Sequence, residues 1–365
     1  MFGRRSFLAG VAGSIALAGV ARAQQAPSPA AGAAPAAPAA PAVTPVPGPV
    51  RRVAIASGTV AAENMLEGNG GDAGWLAFFN ELKVQGFVTG TNIAFERYSG
   101  ARFNGVRRLQ GNSWNALGTA VGTAKPDLIV TTSSYIARGA NAANADVPIV
   151  FILGDAQASG LVQNLAAPGG PMTGVTAGAG ATREAMRVAL LKEAVPAASK
   201  IAYLIKTQAE SPTAWGAAML AAATGTTPAF FDDVKDDVGL DATAYLRALM
   251  DAKAGGANGL VVAEGIDLSE FSALLGNYSL AMKMPGIAPY RDYVVGGGLM
   301  SFGPNYNDMF KTAATVAARV MKGEKPATIA IAQPAPELVI SQRNARNLGV
   351  IIPPSVVMKA KEVLM

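Results

Sequence analysis

Asp155 is the first residue whose chemistry asks for an explanation. It closes the apolar run Phe151-Ile152-Leu153-Gly154 in FILGDAQASGLV, so a carboxylate sits at a strand edge with small residues close behind it. An acid there can be a catalytic base, a metal ligand, a helix cap or a hook for a ligand. Two zeros narrow the choice: the 365 residues contain no Cys and no His. Cys–His and Ser–His pairs, the common zinc sites and disulfides are therefore excluded. Catalysis would rest on Asp, Glu, Lys, Tyr or Ser alone. Asp155 is better suited to hold a ligand amine or hydroxyl than to act as a base.

Other chemistry-bearing residues gather at strand ends. Ser57, Gly58 and Thr59 follow VAIAS, and Thr132, Ser133 and Ser134 follow DLIV ahead of a helix. Hydroxyls and free N–H groups at such a junction suit a carboxylate, and they equally suit helix capping. Glu264 follows GLVVA, and Tyr290, Arg291 and Tyr293 follow PGIAP. The rings can stack on a flat ligand; Arg291 can form a bidentate carboxylate pair or tie the structure together. Trp75, after the loop GNGGDAG, is a candidate for lining a pocket or a core. GNGGDA also contains G-x-G-x-x-A, but the strand ends some ten residues earlier and no ribose-binding acid follows, so it reads as a loop. Neither cofactor nor metal is expected.

The elements that must position these residues alternate. VAIAS, IAFERYS, DLIVTTS and VPIVFIL read as strands, separated by amphipathic stretches over 73–87, 106–122 and 135–144. The pattern restarts with a helix over 182–196, followed by the strand KIAYLI. A helix over 211–224, the strand PAFFDDV, a helix over 241–256, the strand NGLVVAE, a helix over 268–284 and the short strand PGIAP follow. The fold class is α/β, with two Rossmann-like lobes built on parallel sheets. The tail gives a strand in GGGLMSFGPN, a long helix ended by Gly323, then a strand and short helix in ELVISQRNARNLG. A final helix is predicted from Pro354 and Ser355 onward, and the tail is placed to cross back between the lobes.

Composition sets the remaining bounds. Half the residues are hydrophobic and 15% charged, which suits about two domains of ordinary size. The net charge of +5 is scattered in short groups, so no nucleic-acid partner is expected. Residues 1–23 have a basic start with Arg4-Arg5, an apolar middle and the ending Ala21-Arg22-Ala23. They read as a secretory signal, of Sec or twin-arginine type, and predict a periplasmic protein without membrane insertion after its removal. Residues 24–50 are rich in Pro and Ala and uncharged to position 50, which predicts an extended linker ahead of a body beginning near Arg51.

Five stretches together carry a resemblance: WLAFFNELKVQGFVTGTNIAFE, KPDLIVTTSS, VPIVFILGDAQASGLVQNLAAPGGPMTGV, GGLMSFGPNY, and the ending from VMKGEKP to GVIIPPSVV. Over about residues 51–365 the chain resembles the tryptophan/tyrosine-type substrate-binding proteins of ABC transporters. The resemblance implies a type I periplasmic-binding fold with three interlobe crossovers, the first in GDAQASGLV, where Asp155 would hold a ligand or the crossover backbone. It also implies a small-molecule ligand in the cleft and delivery to an ABC permease and its ATPase. The expected boundaries are 51–155 plus about 288–326 for the first lobe, and 156–287 plus about 327–365 for the second, in a monomer. The ligand suggested is an amino acid or aromatic acid. An exported enzyme on a Rossmann-like scaffold and a ligand sensor for a membrane receptor are the alternatives.

Overall fold

The computed structural model describes residues 44–100, 102–103, 106–107, 114–157, 159–178, 180–206, 227–231, 242–263 and 271–365. The signal, residues 24–43 of the linker, the helix expected at 211–224 and Glu264 lie outside the described residues.

Five strands form the first sheet: β1 (Arg51–Ser57), β2 (Ile93–Ser99), β5 (Leu128–Thr131), β6 (Ile149–Leu153) and β7 (Met172–Thr176), in the order β2-β1-β5-β6-β7. All four pairings are parallel. The short β3 (Arg102–Phe103) and β4 (Val106–Arg107) form an antiparallel pair of their own. Buried parallel strands need apolar residues on both faces, and the two faces of β1 differ in size. Val53 and Ile55 pack under α1 (Ala73–Val84), while Ala54 and Ala56 face α2 (Trp114–Thr123) and α3 (Ser134–Ala143). The small face matches a close helix pair. A Cβ on Gly118 would lie 2.3 Å from the Ile136 carbonyl oxygen, so this glycine, a weak helix former on its own, is what allows α2 against α3.

The second sheet has seven strands: β8 (Ile201–Lys206), β9 (Thr227–Phe231), β10 (Gly259–Val262), β11 (Gly286–Ala288), β12 (Met300–Pro304), β13 (Pro336–Ser341) and β14 (Glu362–Leu364). Their order is β14-β13-β12-β11-β10-β8-β9, and only β12 with β13 is antiparallel. Its core takes side chains from α4 (Gly180–Ala194), α5 (Ala242–Ala254), α6 (Ser272–Ala281) and α7 (Arg291–Gly296). Ala345 of α9 (Gln342–Leu348) and Val356 of α10 (Pro354–Val357) complete it. The long helix α8 (Tyr306–Met321) returns to the first lobe, where Met309, Phe310 and Ala313 join the core around Trp75. The two Rossmann-like lobes are thus joined by three crossovers, in the α/β class that the alternation predicts.

The lobe boundaries differ from those expected. β7 still belongs to the first sheet, so the chain leaves that lobe between Thr176 and Gly180 rather than at 155. β11, α7 and β12 belong to the second lobe, which the chain leaves at Asn305 rather than near 288. It returns after Ala332, which still bridges Val175. Two elements also change identity. The stretch expected as a helix from 106 holds a strand at Val106–Arg107 and a helix over Trp114–Thr123. The final helix stops at Val357, and Glu362–Leu364 adds an edge strand beside β13. Partner-strand hydrogen bonds outweigh a short helical pattern at both places.

Candidate functional site

The carboxyl ends of β1 and β5 meet in a hydroxyl cluster. The Ser57 Oγ accepts from the N–H groups of Thr59 at 3.2 Å and Val60 at 3.0 Å, and the Thr132 hydroxyl lies 3.1 Å from it. Ser57 is fully buried, so it shapes the loop that presents Thr59 rather than reaching a ligand itself. Gly58 is held under the Trp114 ring, where a Cβ would approach to 2.7 Å. The Thr131 hydroxyl accepts from Ser133 N–H at 3.2 Å, and Ser133 Oγ accepts from Ile136 N–H at 3.4 Å. Ser133 is therefore the cap of α3, and the neighbouring Ser134 is its first residue. Asp155, half-buried, accepts from Gln157 N–H at 3.0 Å and folds its own turn. Its neighbours reach the first crossover: the Thr176 hydroxyl donates to the Gly154 carbonyl at 3.0 Å and accepts from Ala156 N–H at 3.2 Å.

A cavity of about 440 Å³ opens between the lobes. Thr59, Val60, Asp72 and Ala73 supply its first-lobe side, and Pro289 to Asp292 with Ser301 supply much of the second. Asn305 and Tyr306, at the crossover into α8, also line it. Tyr290 is 2% exposed and meets Tyr306 edge to face at 6.0 Å. The cavity thus has two neighbouring rings among polar side chains.

Its charge is acidic. Asp72, Asp292, Glu337 and Glu362 line it along with Arg291. Arg291 is engaged: Nε and Nη2 donate to the two Glu362 oxygens at 2.7 and 2.6 Å. That hydrogen bond raises the guanidinium pKa and lowers the carboxyl pKa, within one lobe rather than between two. Asp72 caps α1 by accepting from Trp75 N–H at 3.0 Å. Burial, foremost, pushes its carboxyl pKa up, and Asp292 adds to the rise while the Trp75 and Gly74 N–H groups oppose it.

Of the residues singled out in the sequence, Thr59, Tyr290 and Arg291 come together at the cavity, with Ser57, Gly58 and Thr132 behind Thr59. Two are corrected. Trp75 is fully buried and packs edge to face on Phe78 and Phe310, at 5.6 and 5.2 Å, so it belongs to the core. Tyr293 is fully buried, its hydroxyl donates to Ser279 Oγ at 2.8 Å, and burial raises its pKa. Asp72, Asp292, Tyr306 and Glu362 were missed. The spacing of Asp72 three residues ahead of Trp75 is a readable cap signal; Tyr306 and Glu362 owe their place to the chain's return between lobes, which leaves no local mark.

Two lobes, three crossovers and a cavity lined from both sides describe a binding protein of the type I periplasmic-binding fold. Residues 110–364 match the model of the family described as ABC transporter substrate binding protein, and the chain belongs to that family. The family binds solutes and is not enzymatic. Among solved structures, the chain is similar to a conserved domain protein of Vibrio cholerae O1 biovar El Tor: 21% identity, TM-score 0.67, covering 86% of this chain and 99% of that one. It is also similar to an ABC domain in complex with L-Trp from Streptococcus pneumoniae: 18% identity, TM-score 0.68, covering 86% and 100%. A third is a ligand-free, open substrate-binding protein with adhesive properties from Clostridium difficile: 20% identity, TM-score 0.58, covering 87% and 100%. At these identities the likeness is one of fold. A comparison with curated proteins finds no match.

Proposed function

We propose that the mature chain is an exported, monomeric solute-binding protein of the periplasm. It captures an amino acid or aromatic acid between its lobes and delivers it to an ABC permease and its ATPase. The observation that carries this reading is the cavity of about 440 Å³ with Thr59 on one lobe and Tyr290 on the other. A ligand touching both sides favours the closed arrangement by the difference in its affinity for the two states. The acidic lining favours a ligand that brings an amine, and Tyr290 and Tyr306 offer aromatic surface to a flat side chain. Because Arg291 is held by Glu362, a ligand carboxylate is assigned instead to the Thr59 hydroxyl at the end of β1. The L-Trp complex of the pneumococcal protein supports the same ligand class.

Mass spectrometry of protein purified under native conditions, with a thermal-shift screen of amino acids and aromatic acids, tests this reading. A retained amine-bearing acid that also raises the melting temperature is expected. A retained sugar, or no shift with any amino or aromatic acid, removes the ligand assignment.

A further inference from the structure

The three crossovers are tied to one another. The first and third run side by side: Thr176 N–H donates to the Ala332 carbonyl at 2.9 Å, and Ala332 N–H to the Gly174 carbonyl at 2.9 Å. The second and third are joined by the antiparallel ladder of β12 and β13, with Phe302 opposite Leu338 and Pro304 opposite Pro336 at the crossing itself. One fully buried ion pair adds to this frame. Arg187 Nη1 lies 2.8 Å from Glu184 Oε1, and neither side chain is exposed. Arg187 Nε donates to the Phe302 carbonyl at 2.7 Å, two residues before the chain leaves β12.

A guanidinium cannot shed its proton in a protein, and a buried one must keep its acceptors. Arg187 stands on α4, the helix entered directly from the first crossover, and holds the strand that leads into the second. A slide of β12 against α4 would strip the buried cation of an acceptor. Buried ion pairs add little net stability over apolar side chains of the same size, so this one is better explained by the geometry it enforces.

We propose that Arg187, held by Glu184, is a positioning residue of the hinge: it locks α4 to the β12–β13 ladder and so sets the angle between the lobes. The proposal depends on the two-lobe fold and not on which ligand binds.

The absence of Cys provides a clean test, since Lys83→Cys on the first lobe and Lys253→Cys on the second give a unique spin-label pair at exposed positions. Interlobe distances are measured by electron–electron resonance in the full mature chain without added ligand. In the Glu184→Met, Arg187→Met double variant, melting within about 3 °C of the parent is expected together with a distance distribution roughly twofold broader. Arg187→Lys keeps the charge but not the guanidinium Nε; it is expected to broaden the distribution less. It decides the matter if the double variant does not fold. An unchanged distribution in the folded variants overturns the proposal. So does loss of folding in both, because the pair would then serve the stability of the second lobe.

Discussion

At the scale of the residue, two buried tyrosines three positions apart have different duties. Tyr290 faces the cavity and Tyr293 faces the core. Tyr293→Phe removes the bond to Ser279 from a buried position, so unfolding free energy should fall by about 1 kcal/mol with ligand affinity unchanged. Tyr290→Ala should weaken affinity for an aromatic ligand by roughly tenfold, read by calorimetry. Asp72 should show in the pH dependence. Its pKa is raised in the folded state, so between the ordinary value of 3.8 and the raised one the native protein holds a proton that the unfolded chain has lost. Stability therefore falls as pH rises through that window. Asp72→Asn keeps the cap and should flatten this slope; Asp72→Ala should flatten it too and cost about 1 kcal/mol more, in denaturant titrations at several pH values. Neighbouring Trp75 shows why residue type alone misleads: a Trp after a flexible loop can line a pocket, but the 3.6-residue period turns its ring toward Phe78 and away from the cavity.

At the scale of the element, the buried central strands and the long helices could be read directly, because an apolar run bounded by Gly, Pro or Asn has few other uses. Besides the short pair β3 and β4, what escaped was β7 and β14. The segment Met172–Thr176 is short and carries a glycine, and Glu362–Leu364 has only one paired neighbour, β13. Their strand character comes from edges that residues distant in sequence provide, and missing β7 is what displaced the expected first crossover. The α2–α3 contact gives a prediction of its own. Gly118→Ala raises intrinsic helix propensity, yet its Cβ would collide with the Ile136 carbonyl, so a loss of about 1–3 kcal/mol in unfolding free energy is expected. A gain in stability would show that α2 and α3 do not pack as closely as described.

At the scale of the whole molecule, Thr59 and Tyr290 follow strand ends and both line the cavity, where ligands of open α/β sheets gather. Asp72, Tyr306 and Glu362 join them only after the chain has crossed between lobes three times. The central claim is that a ligand held between those lobes stabilises their closed arrangement. Isothermal titration calorimetry on the mature chain, unfolded and refolded to strip any carried ligand, measures this most directly. With amino acids and aromatic acids as titrants, saturable heat at one ligand per chain is predicted for at least one of them, reduced roughly tenfold in affinity by Tyr290→Ala and unchanged by Tyr293→Phe. No heat with any of them, or binding that Tyr290→Ala leaves untouched, would contradict the account.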